Sequence, residues 1–406
     1  MCQAHNSPLS MHWKQRVCRR LPHEPVQANP RPCSNTKSPA SKEQNTASIT
    51  PTPTPTIAAS CRPNWSSGPH TGTFRAAVLF VDFPDFPANT TISELYDPIA
   101  SAPSSLFTTM SYGKLSLELV PILDRFFRMP SPSSSYDYSR ALTLETHLRY
   151  INDALAAAGP SVSFSDIDTL YIIPPKFADE ISFSTSTGVD VTAPDGSVIS
   201  STITFGQDLF FSWGPKTINH ETGHALGLPD LYPYAAGEAV TKWVGGFDLM
   251  GLIAAQAPDL FAWHKWQLGW LEEEQVVCVL EAGVTEHRIG AIEVVDETRE
   301  APKAVAVPTS STGYVMVEVR AALGADAGAC GTGVLVYTAD SALGSGEGPV
   351  RVIDSKPGSG GCGDNNGGEL NDAPLQVGEE LDTGLGVVVR VKAQEWNDFI
   401  VEVERK

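Results

Sequence analysis

The sequence predicts a mixed α/β domain followed by a small all-β, sandwich-like C-terminal domain, and two textures along the chain predict it. From Phe74 onward strand-sized apolar runs alternate with helical spacing, whereas from Gly313 short alternating runs separated by Gly, Asp and Asn take over. A third observation sets the boundary in front of them. Residues 1–73 are rich in Pro, Ser, Thr and Asn and include the run TPTPTPT, a composition that stays extended and cannot pack a core. They read as a disordered leader and linker, dispensable for the stability of the body. The expected organisation is therefore 1–73 leader, 74–305 α/β domain and 306–406 β domain. At 406 residues and 42% hydrophobic composition, the chain is long enough for two folded units.

The elements follow in order. FRAAVLFVDFPDFP is an apolar strand ending in a Pro-punctuated loop. ISELYDPIASAPSSLFTTMS has helical spacing broken by Pro98 and Pro103, and KLSLELVPI alternates like a half-buried strand. SRALTLETHLRYINDALAAAG, Ser139 to Gly159, places Leu142, Leu144, Leu148, Ile151 and Leu155 at helical spacing before a closing glycine, so it is the longest expected helix. DTLYIIPP and VISSTITFG read as further strands. YVMVEVRA, GVLVYTAD, GPVRVIDS, LGVVVRVKAQ and FIVEVER are the expected strands of the β domain.

The net charge of −19 is unevenly spread: Met1 to Arg75 holds nine Lys or Arg against two Glu, so the remainder is more acidic than the total suggests. Such a field repels nucleic acid and anionic lipid, and neither is expected as a partner. No apolar run approaches the roughly 18 residues of a membrane span. Seven cysteines include no CxxC pair, which argues against cysteine-held zinc, while Cys330 and Cys362 flank a β segment they could close covalently. Asn64-Trp-Ser and Asn89-Thr-Thr match the glycosylation acceptor pattern of secreted chains, yet no apolar run follows the basic N-terminal stretch as a signal peptide would require.

The chemistry is concentrated in TINHETGHALGLPDLY, Thr217 to Tyr232. If Thr217 to Leu226 is helical, His220 and His224 stand one turn apart on one face and both imidazoles can reach one metal ion. Glu221 lies about a hundred degrees around the helix, beside the ion without holding it. Gly227 suits a left-handed helix end, after which Asp230 can approach as third ligand. Three protein ligands with one open position describe a catalytic zinc site, with Glu221 as base toward the water that attacks a carbonyl and then as acid toward the amine that departs from it. Glu238 is the competing third ligand. Met250 lies in VGGFDLMGL, a Gly-rich setting that favours a tight turn.

HETGHALGLPD followed by FDLMG resembles the zinc helix and methionine turn of the metzincin clan, specifically the immune inhibitor A type (peptidase family M6). VLFVDFPD, SYGKLSLE, FAWHKWQLGWL and GVLVYTAD are similar pieces, so the resemblance runs from about Phe74 to the C-terminus. It implies a metzincin-like zinc peptidase domain ahead of the β domain. It also implies a secreted metalloendopeptidase acting on proteins or peptides, with His220, His224 and Asp230 as zinc ligands, Glu221 as general base and Met250 as the apolar floor. Where some metzincins carry a tyrosine two residues past that methionine, this chain has Leu252, so Tyr232 and Tyr234 are the candidates for a transition-state donor or for plain wall residues. His264 reads as a packed histidine. Asp82 and Asp85, and the DNNGGELND run near Asp364, could hold structural Ca2+ or simply form turns. A catalytically silent binding protein, or a zinc hydrolase of a non-peptide substrate, are the rival readings; cleavage preference and oligomeric state are not encoded legibly.

Overall fold

The AAVLFV run is apolar without alternation because the strand it forms is covered on both faces. The structure, a computed structural model, describes residues 61–65, 70–294, 301–362 and 368–406, all within one compact unit. Strand Gly72–Asp82 is central in the first sheet, whose order is Leu115–Pro121, Gly72–Asp82, Thr169–Ile173, Ser201–Thr204, Thr185–Thr187. The first four run parallel, and Thr185–Thr187 closes the path antiparallel to Ser201–Thr204. Ala76, Val78 and Phe80 enter one core while Ala77, Leu79 and Val81 enter another, as the period of two requires.

Helix Leu144–Ala158 covers the second core with Tyr150, Ile151, Ala154 and Leu155. It is shorter than the span read from Ser139, because the Thr143 side chain caps it by accepting from Thr146 N, and Ser139–Leu142 forms a turn instead. On the opposite face lie helix Ala102–Met110 and the helix Gly214–Ala225 that carries the two histidines.

The β part is a two-sheet sandwich that starts earlier than its sequence texture. Five strands pair in the order Val350–Val352, Gly333–Asp340, Gly313–Arg320, Ala304–Pro308, Val276–Cys278, and four in the order Gly283–Gly290, Asp398–Arg405, Val387–Glu395, Glu380–Asp382. Val305, Val317 and Val336 of the first meet Ile289, Val389 and Val401 of the second in a valine-rich core. The other face of the five-stranded sheet presents Ala306, Met316, Leu335 and Tyr337 to Phe261, Trp263 and Trp266, so the layers share one core. Position 305 accordingly lies inside a strand. Buried charges cross the same junction: Arg320 pairs with Glu318 and Asp326 at 2.7 Å each, and Glu318 also accepts from Ala262 N and the Tyr337 hydroxyl.

The stretch read as leader and linker up to residue 73 also carries fixed contacts. Cys61 is disulfide-bonded to Cys278, Trp65 packs edge-on against Trp263 and Trp266 at 5.2 and 5.4 Å, and Arg62 pairs with Glu273. Composition hides this because one cysteine and one tryptophan suffice to hold it. Cys330 and Cys362 are joined, closing the segment they flank. The calcium readings of Asp82 and Asp85 are corrected: Asp82 pairs with Arg128 at 2.6 and 2.8 Å and accepts from Ala88 N, while Asp85 accepts from Ser133 and Ser134. Both carboxylates are used in bracing loops. Residues 363–367 of the third candidate run lie outside the described residues.

Candidate metal centre

The histidine helix is held at both ends before any metal is considered. It starts with Pro at its first turn and ends in a double-bonded cap: Leu228 N donates to Gly223 O and Gly227 N to His224 O, both at 2.9 Å, with Gly227 at φ +87. Only a residue tolerating that left-handed turn sends the chain back so soon, and this return brings Asp230 against the helix face. His220 and His224 sit on that face with ring centroids 4.9 Å apart.

Three donor atoms converge there. Asp230 Oδ1 lies 3.2 Å from His220 Nε2 and 3.3 Å from His224 Nε2. Each imidazole is oriented by its other nitrogen, with Nδ1 facing Leu249 O at 3.0 Å for His220 and Leu228 O at 2.8 Å for His224. A carbonyl cannot donate, so Nδ1 carries the proton and, in the neutral ring, each Nε2 points a lone pair at the carboxylate. Oδ1 is buried and has no hydrogen-bond partner. Lone pairs facing lone pairs are relieved by a metal ion between them or by a proton on an imidazole. The spacing suits zinc, because tetrahedral bonds of roughly 2.0–2.1 Å put neighbouring donors about 3.3 Å apart. His220, His224 and Asp230 are the one such group of three among the described residues.

Without a cation, protons do the same work. Burial disfavours a charged His224, but the Asp230 carboxylate against it overrides this and pushes its pKa up to about 9. Burial raises the Asp230 carboxyl, and the two imidazoles more than reverse it, holding it well below the ordinary carboxylate range.

Glu221 is buried, lines the same cleft and engages no described partner by hydrogen bond or ion pair. Burial raises its pKa, opposed by the neighbouring histidines. Glu238 is elsewhere, exposed and paired with Lys242 at 2.8 Å. The Tyr234 hydroxyl donates to Asp230 Oδ2, while the Tyr232 ring stacks on His220 at 6.3 Å and 20°.

Met250 lies beneath the helix, completely buried. Its approach depends on Gly223, which sequence reading passed over: a Cβ there would stand 2.5 Å from Met250 Sδ. The turn is braced by Asp248, at φ +69, whose carboxylate accepts from Met250 N, Phe261 N and His264 Nδ1 at 2.8–2.9 Å. His264 is thereby a buried partner of Asp248. The sandwich contributes as well, since Ser345 Oγ accepts from Asp230 N at 2.8 Å. That contact had no signal in the sequence beyond a Gly-Ser loop.

The centre opens into a cleft of about 730 Å³, with Ser184, Thr185 and Ser186 of the edge strand region along one side. No family model and no curated protein matches the chain. Among solved structures it is similar to metalloproteinase-II from Bacteroides fragilis, with 13% identity and a TM-score of 0.30 over 53% of this chain, and it spans 58% of that one. It is similar also to OgpA from Akkermansia muciniphila, with 14% identity, a TM-score of 0.31 and coverage of 86% and 97%. A catalytically inactive OgpA in complex with an O-glycopeptide gives 12%, 0.30, 86% and 96%. At such TM-scores the likeness carries no weight for chemistry. No helix among the described residues is long and apolar enough to cross a membrane.

Proposed function

We propose that this chain is a zinc metalloendopeptidase of the immune inhibitor A type, exported from the cell that makes it. The observation that carries the reading is the convergence of His220 Nε2, His224 Nε2 and Asp230 Oδ1 beside an unengaged Glu221. Zinc held by those three residues would supply a Lewis acid that polarises a carbonyl and lowers the pKa of a water. Glu221 would take the proton from that water and return it to the departing amine, one residue serving as base and then acid. Tyr234 would act as a positioning residue, its hydroxyl fixing the Asp230 carboxylate so that Oδ1 stays turned toward the histidines. An extended peptide is the substrate that suits the cleft. Thr185–Thr187 ends its sheet, so its outer backbone groups can pair with an added strand.

The test incubates zinc-loaded protein with a complex peptide mixture, with and without chelator, and reads cleavage by mass spectrometry. Chelator-sensitive internal cleavage is expected, together with its loss in Glu221→Gln at an unchanged zinc content near one per chain. Equal turnover by Glu221→Gln would remove the proposed base, and absence of cleavage by the loaded wild-type protein would remove the peptidase reading.

A further inference from the structure

Acidic residues outnumber basic ones 47 to 28 in this sequence, so a cation without a carboxylate partner stands apart from the other arginines. Every other arginine among the described residues holds an ion pair or a hydrogen bond, Arg62, Arg75, Arg128, Arg288, Arg320 and Arg390 with carboxylates among them. The guanidinium of Arg140 has neither. It is exposed and lies over the Phe183 ring at 4.6 Å, a contact that favours this position while leaving its five donors open to solvent or a ligand.

Its place is specific. Arg140 lines the metal cleft, and it also lines an adjoining hollow of about 290 Å³ that continues past Thr185 and Ser186 toward Thr143 and His147. It is the one lysine or arginine at either surface among the described residues. His147 adds no charge near neutral pH, because burial lowers its pKa to about 4. The carboxylates on these walls, Glu221 and Asp230, belong to the metal centre. An arriving chain therefore meets a single cation beside the strand edge, with a planar fork that matches a carboxylate at two points.

We propose that Arg140 is a specificity-determining residue that binds a carboxylate of the peptide substrate, next to the edge strand Thr185–Thr187. The proposal rests on the peptidase reading above. The carboxylate is an Asp or Glu side chain or the substrate's own C-terminus, and both sources offer the same two oxygens to the fork.

The experiment uses the full chain with quenched fluorescent peptides built on one sequence that is cleaved. Glu, Gln or Lys is placed in turn at each of four positions on either side of the bond, and a parallel set carries a free or an amidated C-terminus. For one position, or for the free terminus, kcat/KM for the acid should exceed its neutral twin by about tenfold, mainly through KM. In Arg140→Ala that ratio should fall toward one, and in Arg140→Glu the Lys peptide should be preferred. An internal position assigns the side chain, and the free terminus assigns the chain end. A wild-type ratio within about twofold everywhere, or the same ratio in Arg140→Ala, would overturn the proposal with the peptidase reading intact. Binding of labelled Glu-rich and Gln-rich peptides to Glu221→Gln protein, read by anisotropy, separates the two ideas. If nothing is cleaved but Glu-rich binding is preferred and lost in Arg140→Ala, the peptidase reading falls and Arg140 remains as a carboxylate-binding residue for peptides, not a determinant of cleavage; no such preference sinks both.

Discussion

Asp230 takes a tyrosine hydroxyl on one carboxylate oxygen and faces two imidazoles with the other. Without a metal ion the two imidazoles are the partners of its buried oxygen; with one, the same three atoms would be its ligands. Asp230→Ala leaves two nitrogens to hold the ion, so zinc affinity should fall by orders of magnitude. Glu238→Ala should leave zinc content untouched, since that side chain is exposed and pairs only with Lys242 one turn away. Zinc per chain after dialysis against a competing chelator reads both. Retention by Asp230→Ala with loss in Glu238→Ala would move the third ligand to the later segment.

At the scale of elements, the histidine helix and the methionine turn fit each other through one missing methyl group. In an open helix interior, Gly→Ala gains up to about 1 kcal/mol. At Gly223 the new Cβ would meet Met250 Sδ at 2.5 Å, and overpacking of a tight core costs about 1–3 kcal/mol. Overpacking wins, so Gly223→Ala should unfold at lower denaturant than wild type. The cost should shrink or change sign in a Met250→Ala background, where the obstructing sulfur is gone. Equal effects of Gly223→Ala in both backgrounds would show that the two residues do not touch. The edge strand Thr185–Thr187 was missed at this scale for a plain reason: three residues with hydroxyl side chains carry no periodic signal.

Across the whole molecule, the body is fastened at its N-terminal side by a link that composition does not reveal. Cys61–Cys278 joins residues 217 apart, and Trp65 fills a corner between Trp263 and Trp266. A crosslink over so long a loop contributes about 2–5 kcal/mol. A chain starting at residue 71 should therefore melt lower than one starting at residue 61, by on the order of 5 °C. Identical melting temperatures would mean that the clip contributes nothing, as the leader reading expected. Loss of the difference under reducing conditions would assign it to the disulfide.

The sequence by itself determined what depends on neighbours along the chain. His220 and His224 share a face because a helix repeats every 3.6 residues, Gly227 ends that helix because it tolerates φ +87, and the long valine-rich runs could only be strands. Only the tertiary structure decided what depends on residues distant in sequence and close in space. It seats Ser345 of the sandwich against Asp230, sets Glu318 against Ala262 N and Arg320 against Asp259 O, and it turns Asp230 rather than the nearby Glu238 toward the histidines. It also leaves Arg140 unpaired beside the cleft. Local periodicity is set by backbone geometry and is legible residue by residue. The pairing of a charge is set by whichever segment packing brings within about 4 Å, and nothing short of the packed chain specifies that.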